Sequence, residues 1–156
     1  MKKKSIIQNF ELSSNVVLLR SIGENETELI SFNDTVIIPM NSKTIIDKNC
    51  KLFGSSLNGR IESSREWLGY DYKLPIIIDE VRNLVLFPTR SVDSPKNIWV
   101  SYNAIEDYNQ TKNGIELILK NGNTIIIKES FNVFESQFIR ASKLHKRIEK
   151  LKATII

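Results

Sequence analysis

The chain has one cysteine and one histidine among its 156 residues. A lone Cys50 excludes an intrachain disulfide and suits a reducing compartment. One thiol and one imidazole cannot build a structural zinc site of Cys and His ligands. His145 lies among Lys143, Lys146 and Arg147, whose charges oppose its protonation, and it is not read as the partner of a Cys50 nucleophile. The acidic residues are scattered, so no cluster indicates a two-metal centre. Asp79 and Glu80 read as a polar turn. No apolar run has the length of a transmembrane helix. The opening MKKKSIIQNFEL is basic but lacks the apolar stretch and small-residue cleavage site of a signal peptide. Linkers, low-complexity tracts and internal repeats are missing too. What these absences leave is one domain over residues 1–156, cytoplasmic, with no cofactor, no metal and no legible catalytic set.

What is present is a basic chain with a substantial apolar fraction. Lysine and arginine total 22 against 18 aspartates and glutamates, a formal charge of +4. The hydrophobic share of 41% is enough for a core. The charge favours an anionic partner, either nucleic acid or a membrane surface.

The most distinctive segment is CKLFGSSLNGR, residues 50–60. Gly54 and Gly59 let backbone N–H groups approach a ligand closely. Ser55, Ser56 and Asn58 add short hydrogen-bonding side chains. Arg60 adds a planar donor fork suited to a phosphate or a base edge. The spacing is not that of a Walker loop. The plainer reading of the same residues is a tight turn before a helix.

Most of the chain reads as short strands. Residues 16–22, 28–32 and 36–40 are aliphatic or β-branched runs broken by polar residues, and 44–47 continue the pattern. Residues 75–78 and 84–87 bracket the polar DEVRN as a hairpin. Residues 98–102 alternate. In 116–129, Asn121-Gly122 supplies the positive φ values of a tight turn. Two helices interrupt the strands. One covers 56–68, with Leu57, Ile61 and Leu68 on one face, Arg60 and Arg65 turned away, and Gly69 as its stop. The other ends the chain, with Asn132 as cap and Glu135 completing a capping box. Its apolar stripe is Phe134, Phe138, Ala141, Leu144, Ile148 and Leu151. Arg140, Lys143, Lys146, Arg147 and Lys150 fill the rest of its surface, offset mainly by Glu149. That basic surface is either a solvated face or one that neutralises phosphates. The expected fold is α+β: a mainly antiparallel β-roll or partly open barrel, one short internal helix and a C-terminal amphipathic helix. The last third resembles the ending of a pleckstrin-homology-type domain.

Three motifs, in unbroken order over about residues 43–144, carry a further likeness. They are FGSSxxGR in KNCKLFGSSLNGR, LFPTxSxxxPxxxW in LVLFPTRSVDSPKNIW, and SxNxFExQxxRAxxL in SFNVFESQFIRASKL. Together they resemble the competence transcription factor family of Gram-positive bacteria, the ComK-like proteins. In the first motif Phe53, Gly54, Ser55, Ser56, Gly59 and Arg60 match; in the second Pro88, Thr89, Ser91, Pro95 and Trp99; in the third Phe134, Gln137, Arg140 and Ala141. Phe53, Trp99, Phe134 and Ala141 are expected in the core.

The resemblance implies a sequence-specific DNA-binding activator of competence and DNA-uptake genes. Such proteins recognise paired AT-rich boxes, largely through the minor groove, and act as homo-oligomers. RNA polymerase is the further partner an activator implies. Longer members continue into a tail read by an adaptor of a regulated protease; this sequence ends at Ile156, which leaves a protease adaptor as an open partner. AT-rich minor grooves are narrow and negative and attract inserted Arg or Lys. Arg60 and Arg65 are the first candidates, with Ser55, Ser56 and Asn58 beside them. Lys51, Arg90, Lys96, Arg140, Lys143 and Arg147 complete the candidate DNA-binding set. The rival readings are an anionic membrane-surface module and a protein-interaction domain. Few aromatics accompany the basic helix, which argues against insertion into lipid.

Overall fold

A computed structural model of the chain describes residues 4–6 and 11–155. Most of the amino-terminal MKKKSIIQNFEL therefore lies outside the described residues. The strands are β1 (Lys4–Ile6), β2 (Val16–Gly23), β3 (Glu26–Ser31), β4 (Thr35–Ile38), β5 (Ile76–Asp79), β6 (Leu84–Pro88) and β7 (Ile98–Ser101). They form one seven-stranded sheet in the order β1-β4-β3-β2-β7-β6-β5. All its pairings are antiparallel except β1 with β4. A second, three-stranded antiparallel sheet comprises β8 (Ile105–Thr111), β9 (Gly114–Leu119) and β10 (Thr124–Ile127). The helices are α1 (Ser42–Leu52), α2 (Leu57–Leu68) and α3 (Phe131–Ile155). The fold is α+β, and neither sheet closes into a barrel.

The large sheet is buried on both faces, which is why its strands read as unbroken apolar runs. Alternate residues enter different cores, as the two-residue period of a strand requires. Ile77, Val85, Phe87 and Val100 pack with Ile115 and Leu117 of β9 and with Phe134, Ala141, Leu144 and Ile148 of α3. Ile76, Ile78, Leu84, Leu86 and Trp99 pack on the other side with Ile45, Ile46 and Cys50 of α1 and Leu57 of α2. Phe87 and Phe134 meet edge-to-face at 5.5 Å between centroids. Trp99, Phe134 and Ala141 are fully buried, as expected.

Four sequence expectations need correction. Residues 44–47 are not strand but the middle of α1, capped by Asn41, whose side chain accepts the Thr44 N–H at 2.8 Å. There are thus two internal helices. The cap of α3 is Ser130, whose Oγ accepts the Val133 N–H at 3.2 Å; Asn132 is inside the helix. Glu135, cast as the second half of a capping box, instead accepts the Tyr108 hydroxyl at 3.1 Å. In the turn between β9 and β10 only Gly122 takes a positive φ, +89°. The strand β8 had no sequence signal.

Candidate nucleic-acid interface

The segment 50–60 is the corner between α1 and α2. As α1 ends, the N–H groups of Phe53 and Ser55 donate to Cys50 O and that of Gly54 to Lys51 O. Gly54 sits at φ +84°, the left-handed conformation that ends helices. Ser56 then caps α2, its Oγ accepting the Gly59 N–H at 3.0 Å. The Leu57 N–H donates to Asp47 Oδ1 at 2.9 Å. That bond, with one from Lys51, holds the Asp47 carboxyl below the usual range. A Cβ on Gly59 would come within 2.7 Å of Ser55 Oγ. The serines and glycines therefore join two helices, and a carboxylate already occupies the positive end of α2.

Arg60 lies on the opposite side of α2 from that expected. It is 9% exposed. One terminal nitrogen donates to Glu80 Oε1 at 2.5 Å and the other reaches Phe53 O at 3.5 Å. Phe53 was expected in the core but is 38% exposed, with the Arg82 guanidinium 6.0 Å from its ring centroid. Lys51 is exposed and paired with Asp47 at 2.9 Å. Asn58 and Arg65 are exposed; Arg65 reaches Asp71 O at 3.4 Å. Glu62 and Glu66 share that exposed surface, so α2 presents no basic face.

The other two motifs are structural in much the same way. Asn97 Oδ1 accepts the N–H groups of Thr89 and Arg90 at 3.1 and 3.0 Å, and Thr89 Oγ1 accepts the Ile98 N–H. These bonds pin loop 89–97 to β7. Gln137, buried on α3, donates to Lys73 O and Pro88 O at 2.7 Å each. Arg90 and Lys96 project from the pinned loop, and Arg90 Nε donates to Glu129 Oε1 at 2.8 Å.

The basic surface belongs to α3. Its apolar stripe is consumed by the core, which turns Lys143, Lys146, Arg147 and Lys150 outward and leaves Arg140 half-buried. Among the described residues the side chains of Lys146, Arg147 and Lys150 have no hydrogen-bond or ion-pair partner. Arg140 stacks 4.0 Å from the Tyr70 ring centroid and donates to Tyr72 O at 2.5 Å. Lys143 donates to the Tyr70 hydroxyl at 2.8 Å. Tyr70 thus fixes two cations at the start of the basic face, beside a cleft of about 550 Å³ between residues 69–73 and α3. Nothing in the local sequence marked Tyr70, since its loop meets α3 only through the tertiary fold. Glu149 is the one carboxylate on this outward surface, 3.9 Å from His145 Nε2.

Chemistry at the two reactive side chains is not supported. Cys50 is buried in the core beneath α1 and burial pushes its thiol up to about 11. His145, on α3, packs instead against Tyr102, just after β7. Among the described residues no group of three or more His, Cys, Asp or Glu is placed to hold a metal, and no helix is long and apolar enough to cross a membrane.

The outward face of α3 thus presents a row of cations that have no partner among the described residues, while its other face is packed into the core. The family model described as ComK protein matches residues 7–152, and the chain belongs to that family. It is 32% identical over 104 residues to the competence transcription factor of Bacillus subtilis strain 168. That alignment covers 66% of this chain and 54% of the relative, so the chain spans about half the length of the curated protein it matches. No solved structure matches it.

Proposed function

We propose that the protein is a cytoplasmic transcriptional regulator of competence genes, not an enzyme, that binds AT-rich duplex DNA with residues 1–156 acting as one domain. Membership of the ComK family and the name of the relative support the regulator reading. The observation that carries the DNA reading is the α3 face, where Lys146, Arg147 and Lys150 have no partner among the described residues. Cations without protein partners are the ones available to displace counterions from phosphates. In this reading Lys143, Lys146, Arg147 and Lys150 meet the backbone. Arg140 and Arg65, which flank the loop carrying Tyr70 and Asp71, stand nearest the groove. AT-rich minor grooves are narrow and negative, and they reward inserted guanidinium groups.

A net charge of +4 gives one subunit modest affinity. Two basic faces on one site raise the effective affinity, so the protein acts as a homo-oligomer. Activation brings RNA polymerase as a further partner. A membrane surface is the poorer fit, because the apolar stripe of α3 is buried in the core; Ile139 and Tyr72 are the large apolar residues left exposed beside the cations among the described residues.

A competition gel shift tests the proposal. AT-rich duplex should displace the labelled site at lower concentration than GC-rich duplex of equal length, and distamycin should compete. Equal competition by both duplexes rejects sequence preference, and indifference to distamycin rejects the minor groove.

A further inference from the structure

A second cationic surface lies apart from the residues of the α3 face. Arg20 of β2, Arg90 and Lys96 of the pinned loop, and Lys128 after β10 line a cleft of about 540 Å³ between the two sheets. Each arginine is braced from below by a buried carboxylate. Arg20 Nε and Nη2 donate to Glu28 Oε1 at 3.2 and 2.6 Å. Arg90 donates through Nε alone to Glu129, whose side chain is 4% exposed. The remaining guanidinium nitrogens of both arginines are unspent among the described residues, and both side chains are about two-fifths exposed, at 37% and 44%. The ammonium groups of Lys96 and Lys128 have no partner there either. Negative charge is thus buried and positive charge is presented, which suits recognition of an oxyanion.

We infer that this cleft is a second contact for the phosphates of the same DNA duplex, an inference that rests on the DNA reading proposed above. Its position fits. Lys128 and Glu129 precede the Ser130 cap of α3. The cations at residues 140–150 lie roughly 14–28 Å further along that helix, at 1.5 Å per residue. A turn of duplex is ~34 Å long, so one turn lying along α3 spans both surfaces. Each subunit then grips phosphates at two places, with the first turns of α3, which carry Glu135 and no cation, between them.

The double variant Lys96→Ala/Lys128→Ala tests this, because neither side chain supports the fold and no buried carboxylate is left unpaired. Affinity for an AT-rich 20-base-pair duplex is measured across salt concentrations, alongside hydroxyl-radical footprints and a melting curve. The expected result is unchanged melting, a salt slope shallower by about two per bound subunit, and affinity at least about tenfold weaker at fixed salt. Protection should disappear at the second contact of each bound subunit and persist where α3 lies. An unchanged slope and footprint, with Lys146→Ala/Lys150→Ala still weakening binding, overturns the second contact and leaves the DNA reading intact. Failure of the unaltered protein to bind duplex overturns both. Loss of binding to phosphatidylglycerol vesicles but not to DNA overturns the inference by assigning the cleft to lipid.

Discussion

Replacing Arg60 with alanine should unfold the protein more easily without weakening the DNA contact of the molecules that remain folded. The side chain is 10% exposed and its partner Glu80 is 59% exposed. Removing Arg60 deletes a charge-assisted hydrogen bond and leaves a void beneath the α1–α2 corner, while the freed Glu80 returns to water at little cost. A lost bond to a charged group costs about 1.5–3 kcal/mol. Its exposure on the glutamate side places the expected value near 2 kcal/mol. For a chain of this length that lowers the melting temperature by roughly 4–8 °C. Arg60→Met keeps the aliphatic stem and relieves the burial of a guanidinium whose Nε has no partner, so its cost should stay within about 1 kcal/mol. Urea denaturation of the three proteins, with gel shift at a temperature where all are folded, gives both readouts. Unchanged stability of Arg60→Ala together with a lost gel shift would refute this reasoning and return Arg60 to the DNA surface.

Other perturbations follow from particular contacts. Phe134→Ala removes a fully buried ring and should cost about 3–5 kcal/mol in urea denaturation; the half-buried Phe138 should cost less, and a reversed order would contradict the packing described. Gly114→Ala would bring a Cβ within 2.1 Å of Ile127 O at a φ of +135°, so a loss of ~3 kcal/mol or more is expected. Gly122→Ala, in open space but at φ +89°, should cost about 1–2 kcal/mol; equal losses would show that strain at Gly114 is relieved. Burial opposes ionisation of Asp79, but hydrogen bonds from Arg82 and the Val81 N–H outweigh it and hold its carboxyl low. Asp47 is held low by the Leu57 N–H and Lys51. Both folded pKa values lie below the ordinary 3.8, so their stabilisation is complete above that pH and is lost as pH falls below it. Asp47→Asn should therefore flatten the acid limb of a stability–pH curve; an unaltered acid limb would mean that the α2 cap is not ionic.

The strands and α3 were legible because their patterns are dictated by burial. The sheet takes apolar residues on both faces, and α3 repeats its stripe at three and four residues. The helix α1 was hidden because its buried face is partly polar. Asn49 accepts the Leu12 N–H at 2.7 Å and donates to Ile45 O, so a core position reads as surface. The strand β8 was hidden because Glu106, Asp107, Asn109 and Gln110 leave it little apolar alternation. At the interface, the cations of α3 could be named from sequence, but which of them are free could not. Arg60 is buried and paired with a glutamate twenty residues away, and Arg140 is held by a tyrosine seventy residues away. Motif residues stood out for their spacing, and most of them turn out to build corners and pin loops. The cations left over for a ligand lie largely outside the motifs.

The most direct measurement is the salt dependence of affinity for an AT-rich duplex in the triple variant Lys146→Ala/Arg147→Ala/Lys150→Ala. These side chains are exposed and have no partners among the described residues, so folding should be nearly unchanged. If the α3 face meets phosphates, the slope of log affinity against log salt should fall by about three per bound subunit, and affinity should drop alike on AT-rich and GC-rich duplexes. An unchanged slope in a folded variant would contradict DNA binding through α3.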